Sequence, residues 1–220
     1  GVGDYAKRYG LLDSDFTWIP NGYALADVIA EPARDHGGPF ELIYTGAHGE
    51  ANSLEALVDA MLLLPEARLS LYGEGPSKAS LIARAASNGS SNVVFHDPIP
   101  ASDVHIPVAR ADATILSVRN LPELYRYGMS MNKLFEYLAA ERPIVFASPI
   151  SHGAISAGAG IWCEPESPPA VAAAVRELAS TSLTQRRKMG ATGRRFLEEN
   201  HDATRLADHL AAVLDRVCRK

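Results

Sequence analysis

Met131–Ser148 reads MNKLFEYLAAERPIVFAS, a helix feeding into a buried strand. Leu134 and Leu138, with Phe135 and Ala139 beside them, form an apolar stripe at helical spacing, which predicts a face turned toward a core. Glu136 falls on the other side, in register with Lys133 and Ala140. Arg142-Pro143 ends the helix, because proline cannot donate the next hydrogen bond. Pro143–Ser148 follows as a short apolar run of the kind found in buried parallel strands. Asn132 and the backbone N–H groups near it therefore stand at a helix N-terminus, a position suited to a phosphate. Lys133, in the same first turn, is the basic side chain best placed for one. Glu136 lies one turn further in, where a carboxylate can accept hydrogen bonds from sugar hydroxyls.

Outward from this stretch the chain alternates two periodicities. Strand patterns occur at Glu41–Thr45, Arg68–Tyr72, Asn92–His96, Asp112–Val118, Pro143–Ala147 and Gly160–Glu164. Helical patterns lie between and after them at Ser53–Leu64, Pro76–Ser87, Ser102–Ala111, Met131–Ala140 and Pro168–Ala179. Such alternation predicts βαβ units and an α/β fold with a doubly wound, Rossmann-like parallel sheet. Ligands of these sheets bind outside the carboxyl ends of the strands. Two glycine-bearing loops fall at those ends: Gly46-Ala47-His48-Gly49 after the first strand, and Gly73-Glu74-Gly75-Pro76 after the second. Glycine lets backbone approach a ligand closely, and His48 is a candidate donor to a phosphate or a sugar. Lys78 and Arg84 read as helix-surface charges. The dinucleotide fingerprint G-x-G-x-x-G is not met, since Lys78 stands where its third glycine belongs.

Composition narrows the classes. The 220 residues are 47% hydrophobic and 21% charged, with a net charge of −5, ordinary for a globular protein and unlike the basic face of a general nucleic-acid binder. No apolar run reaches the roughly 20 residues that span a bilayer. Cys163 and Cys218 stand apart from each other and from any metal-ligand spacing, which favours a reducing, cytoplasmic setting.

The NKLFEYLAA run of Asn132–Ala140 resembles the signature of family 4 (group 1) retaining glycosyltransferases, whose donor domains often read PSKLFEYLAAGRPVV. Trp18–Gly22, WIPNG, is similar to the crossover between the two domains of that family. The resemblance implies the C-terminal, donor-binding half of a two-domain GT-B enzyme. Residues 1–22 would then be the end of the acceptor domain and the crossover, 23–39 a linker, 40–182 the donor domain, and 183–220 helices that pack back on the acceptor domain. Within the first of these pieces Asp4–Gly10 reads as a short helix and Phe16–Ile19 as a short strand. The resemblance further implies a nucleotide-sugar donor, UDP-linked rather than GDP-linked, held by Gly46, His48, Gly49, Gly73, Gly75, Asn132, Lys133 and Glu136, with the His96–Ile99 loop on the base. It implies transfer to a sugar or lipid-linked acceptor in cell-surface polysaccharide or glycolipid synthesis, without a metal. It also implies peripheral association of the full-length protein with the inner face of the membrane.

Two departures from the family pattern stand out. The carboxylate usual eight positions before Glu136 is replaced by Gly128, which leaves Glu123 as the nearest upstream candidate for a contact to the donor sugar. The basic residues usual in the first loop are also missing, with Ala47 and Glu50–Asn52 in their places. A sugar-nucleotide epimerase of the same architecture and a non-catalytic nucleotide-binding domain are the alternatives that the sequence leaves open.

Overall fold

The computed structural model describes residues 2–12, 16–25, 30 and 37–218. The elements, in chain order, are α1 (Val2–Arg8), β1 (Phe40–Thr45), α2 (Leu54–Ala60), β2 (Ala67–Tyr72), α3 (Lys78–Asn88), β3 (Val93–His96), α4 (His105–Arg110), β4 (Ala113–Ser117), α5 (Pro122–Tyr125), α6 (Asn132–Ala139), β5 (Ile144–Ala147), β6 (Gly160–Cys163), α7 (Pro168–Ser180), α8 (Leu183–Asn200) and α9 (Ala203–Cys218). The strands form one sheet in the order β3-β2-β1-β4-β5-β6, every pair parallel. Central strands read as unbroken apolar runs because both faces are covered, and β4 and β5 are buried along their whole length. On one face α2 packs against α3 and α7, and on the other α6 packs against α4 and α8. The expected doubly wound parallel sheet is the observed one.

Pairing is uneven across the sheet. β1 and β2 keep register over six residues, whereas β1 and β4 share only Leu42↔Ala113 and Ile43↔Thr114. The strand order reverses at this seam, and beyond Thr114 the two strands pair no further. Behind α6 the fully buried Arg142 donates to the carbonyls of Ala140 and Ala109, which the ends of α6 and α4 leave without helical partners.

One expectation is corrected. Phe16–Ile19 forms no strand; among the described residues no sheet edge runs beside it, and Trp18 is largely exposed. The chain is instead anchored a few residues later, by an isolated bridge between Tyr23 and Asp202. There the Tyr23 N–H donates to His201 O at 2.8 Å and the Ala203 N–H donates to Tyr23 O at 3.1 Å. The expected helix at Asp4–Gly10 is present as Val2–Arg8. Most of the expected 23–39 linker lies outside the described residues. α9 leaves Leu210, Leu214 and Val217 exposed along one stripe.

Between residues 18–21 and the sheet lies a cavity of about 500 Å³, walled by Trp18, Phe135, Phe146, Phe196, His152 and His201 among others. The His201 Nδ1 lies 3.0 Å from Asn21 O and therefore carries the proton donated to it. His152 Nδ1 accepts the Ala154 N–H, and burial, with His201 beside it, pushes its pKa down to about 4.

Two outcomes follow from this packing. A Cβ on Gly190 would lie 2.0 Å from Glu141 O, so α8 touches the end of α6 backbone to backbone. Helix propensity alone favours Gly190→Ala by about 1 kcal/mol. The clash costs more, and we expect Tm to fall by roughly 3–8 °C; a rise in Tm would refute the close packing. The second outcome concerns pH. From the ordinary histidine pKa of 6.5 down to about 4, the unfolded chain takes up a proton at His152 that the folded chain refuses. Stability is therefore lost as pH falls through that window. In thermal melts at pH 7, 6 and 5, His152→Gln should lose Tm less steeply than the parent, and parallel slopes would contradict the assignment.

Candidate functional site

Where β1 and β4 part, the loops after β1, β2 and β3 and the start of α6 enclose a cleft of about 450 Å³. Its walls include Gly46, Ala47, Gly73, Glu74, Pro98, Ile99, Asn132, Lys133 and Glu136. This is the crevice at the topological switch point, where doubly wound sheets receive ligands. The first two loops are zipped together: Gly46 N–H donates to Tyr72 O at 2.9 Å, His48 N–H to Glu74 O at 2.8 Å, and Ser77 N–H to His48 O at 2.9 Å. Gly73 is required there. It holds φ +149°, and a Cβ on it would sit 1.9 Å from Gly46 O.

α6 supplies the charged side chains. Its apolar residues Leu134, Phe135, Leu138 and Ala139 are buried, which directs Lys133 and Glu136 to the cleft. Tyr137 is completely buried, and its hydroxyl accepts the Thr45 N–H at 2.7 Å, pinning α6 to the end of β1. Lys133 turns away from Glu136. Its ammonium donates to Tyr44 Oη at 2.6 Å and to Asn52 Oδ1 at 3.1 Å, and lies 4.4 Å from the centre of the Tyr44 ring. Burial pushes its pKa down to about 8, with Glu136 opposing the shift. Burial likewise pushes the Glu136 carboxyl up from its ordinary value, with Lys133 opposing. Among the described residues nothing hydrogen-bonds or ion-pairs with that carboxylate.

The sequence-predicted residues divide into two groups. Gly46, Gly73, Asn132, Lys133 and Glu136 converge on the cleft, with Pro98 and Ile99 of the third loop. His48 lies behind it, fully buried between Tyr44 and Phe95, with neither ring nitrogen hydrogen-bonded. Burial lowers its pKa, and the nearby Lys78 and Lys133 add to the shift. Gly75 packs against the His48 backbone, and Gly49 opens the short helical turn that precedes α2. Glu123 stands on the exposed α5 beside Arg126, with its side chain 86% exposed. Lys78 is only 13% exposed and donates to Glu74 Oε2 and His96 O, so it braces the second loop rather than a free helix surface. Arg84 pairs with Asp59 through two hydrogen bonds, at 2.7 and 2.5 Å.

Sequence reasoning missed Tyr44 and Asn52. The available signal was the lack of a basic residue in the first loop. A lysine reaching that loop from elsewhere needs local acceptors, and a tyrosine one residue before the strand end and an asparagine eight residues after that tyrosine were polar groups in range.

No curated protein matches this sequence. Solved structures match its fold closely. Sucrose-phosphate synthase from Thermosynechococcus elongatus superposes with a TM-score of 0.77 at 17% identity, over 98% of this chain and 56% of that one. Anabaena HepE, solved in complex with UDP-glucose, gives 0.72 at 13% identity over 96% of this chain and 60% of that one. WaaG, a glycosyltransferase involved in lipopolysaccharide biosynthesis, gives 0.68 at 18% identity, again over 96% and 60%. The chain thus spans a little over half the length of these proteins. The family profile described as glycosyl transferases group 1 matches residues 39–181, from the start of the sheet to the end of α7. The chain belongs to the group 1 glycosyltransferase family.

Proposed function

We propose that the cleft binds the nucleoside diphosphate of a sugar donor, with UDP as the nucleotide, and that the chain is the donor half of a transferase acting on a sugar or lipid-linked acceptor. The observation that carries this reading is the Glu136 carboxylate, partly desolvated, without a hydrogen-bond or ion-pair partner among the described residues, and facing the same cleft as Lys133 and the start of α6. Leaving such a group unsatisfied is costly unless a ligand satisfies it, and the adjacent hydroxyls of a ribose do so in pairs. The diphosphate falls to Lys133, to the N–H groups at the start of α6 and to the glycine loops, where negative charge meets donors and a helix N-terminus. HepE, which shares the fold, has been solved with UDP and with UDP-glucose, and this supports the choice of nucleotide.

The acceptor belongs to a second domain in this reading, joined through residues 1–22 and covered in part by the exposed Leu210, Leu214 and Val217 of α9. We place the enzyme in the cytoplasm, at the inner face of the membrane, making polysaccharide or glycolipid. No helix among the described residues is long and apolar enough to cross a membrane.

Glu136→Gln keeps size and helix propensity but loses the charge and one acceptor. It should weaken UDP binding about tenfold or more in calorimetry, since hydrogen bonds to a charged group contribute about 1.5–3 kcal/mol. The 2′-deoxy nucleotide should lose similar affinity against the parent and little against the variant, because both changes remove one contact. Unchanged UDP affinity in Glu136→Gln would sink the site assignment. These 220 residues alone should bind the donor without turnover, because transfer requires an acceptor held against the sugar. Sugar transfer by this polypeptide on its own would overturn the two-domain reading.

A further inference from the structure

The first loop carries no cation, yet its floor is occupied by one. Lys133 reaches from α6 to Gly46, close enough that a Cβ there would lie 3.0 Å from its Nζ. The two acceptors that hold the ammonium also hold the loop. Tyr44 Oη donates to Ala47 O at 2.9 Å, and Asn52 Nδ2 donates to the same carbonyl at 2.9 Å. Tyr44 and Asn52 thus each accept from Lys133 and donate to Ala47, closing two parallel bridges between α6 and the β1 loop. An ammonium has three N–H donors. Two are spent on these oxygens, and the third remains for whatever enters the cleft that Lys133 lines.

We propose that Tyr44 and Asn52 are positioning residues that fix the Lys133 ammonium and the Ala47 backbone as one unit, presenting a single aimed N–H to the diphosphate. The proposal rests on the nucleotide reading of the cleft. It accounts for a phosphate site without a basic residue in its loop: the charge comes from a neighbouring helix, and the loop contributes the polar cradle. A lysine held this way behaves unlike a surface lysine. It is half-desolvated against the Tyr44 ring, its titratable neighbours are Tyr44, His48 and Glu136, and its charge depends on the acceptors kept beside it. Removing an acceptor disfavours the charged form, and adding an anion favours it.

The test begins without ligand. The Lys133 side chain is titrated by ¹³Cε NMR in the parent, in Tyr44→Phe and in Asn52→Asp. The parent should titrate at about 8, as burial dictates. Tyr44→Phe should move the midpoint down and Asn52→Asp should move it up, opposite shifts that a purely structural role for either side chain does not produce. UDP and uridine affinities are then measured between pH 7 and 9, uridine cancelling the ionisation of the base. Parent UDP affinity should fall as pH rises through the lysine midpoint, and uridine affinity should not follow it. At pH 7 Tyr44→Phe should weaken UDP about fivefold, with the fall beginning at lower pH. A parent lysine titrating near its ordinary 10.4, or variants that leave the midpoint and the UDP profile in place, would overturn the proposal. A parent that shows the expected lysine titration but binds no UDP would overturn the nucleotide reading, which separates the two failures.

Discussion

The buried hydrogen bond from the Thr45 N–H to the Tyr137 hydroxyl, 2.7 Å long, fixes the relation between the sheet and the helix that carries the site. Glu41 O accepts from Asp112 N–H and Gly46 N–H donates to Tyr72 O, so odd-numbered residues of β1 face β4 and even-numbered ones face β2. The Thr45 N–H thus points toward β4 after that strand has stopped pairing. Left alone there it would be a buried, unsatisfied donor. The Tyr137 hydroxyl fills the vacancy and is 3.1 Å from Thr45 Oγ1 as well. With α6 tied at that point, Lys133, about one turn earlier, and Glu136, the residue just before Tyr137, both line the crevice.

Behind the helix, charge is handled by pairing. Asp112 accepts the Glu41 N–H at 3.0 Å through one oxygen and meets Arg186 of α8 at 3.5 Å through the other. Arg142 spreads its donors over carbonyls at the ends of α4 and α6. Both contacts lie away from the carboxyl ends of the strands, and each gives a buried charge the partners without which burial is unfavourable. Glu136 differs: its carboxylate is partly desolvated and, among the described residues, has no such partner.

Periodicity made the sheet legible. The apolar stripe at Leu134, Phe135 and Leu138 and the β-branched strands gave the parallel α/β architecture, because burial of one helical face and both strand faces is written directly in residue spacing. The glycine loops were legible as interruptions in those patterns, and Glu136 stood out through the resemblance of the NKLFEYLAA run. Phe16–Ile19 misled because a tetrapeptide of aromatic and β-branched residues has strand propensity whether or not a partner edge runs beside it, and pairing is a property of the whole sheet. The bond of Lys133 to Tyr44 and Asn52 joins residues 89 and 81 positions apart, and no local pattern encodes it. His48 was legible as a polar residue in a ligand loop, but its burial behind Tyr44 and Phe95 depends on how two loops stack.

The short seam between β1 and β4 has a dynamic consequence. Six residue pairs hold β1 to β2, and only two hold it to β4, so the sheet is stiff within each half and soft along the line between them. Fluctuations that part the structure concentrate on that line. The lips of the cleft belong to opposite halves: the glycine loops ride on β1 and β2, while α6 runs between β4 and β5. A ligand gripped by both lips would add a removable cross-link over that joint, beside the bonds that Tyr137 and Lys133 already make to the end of β1 and its loop. Part of its binding energy is then expressed as rigidity of the fold, felt by every element that the seam divides.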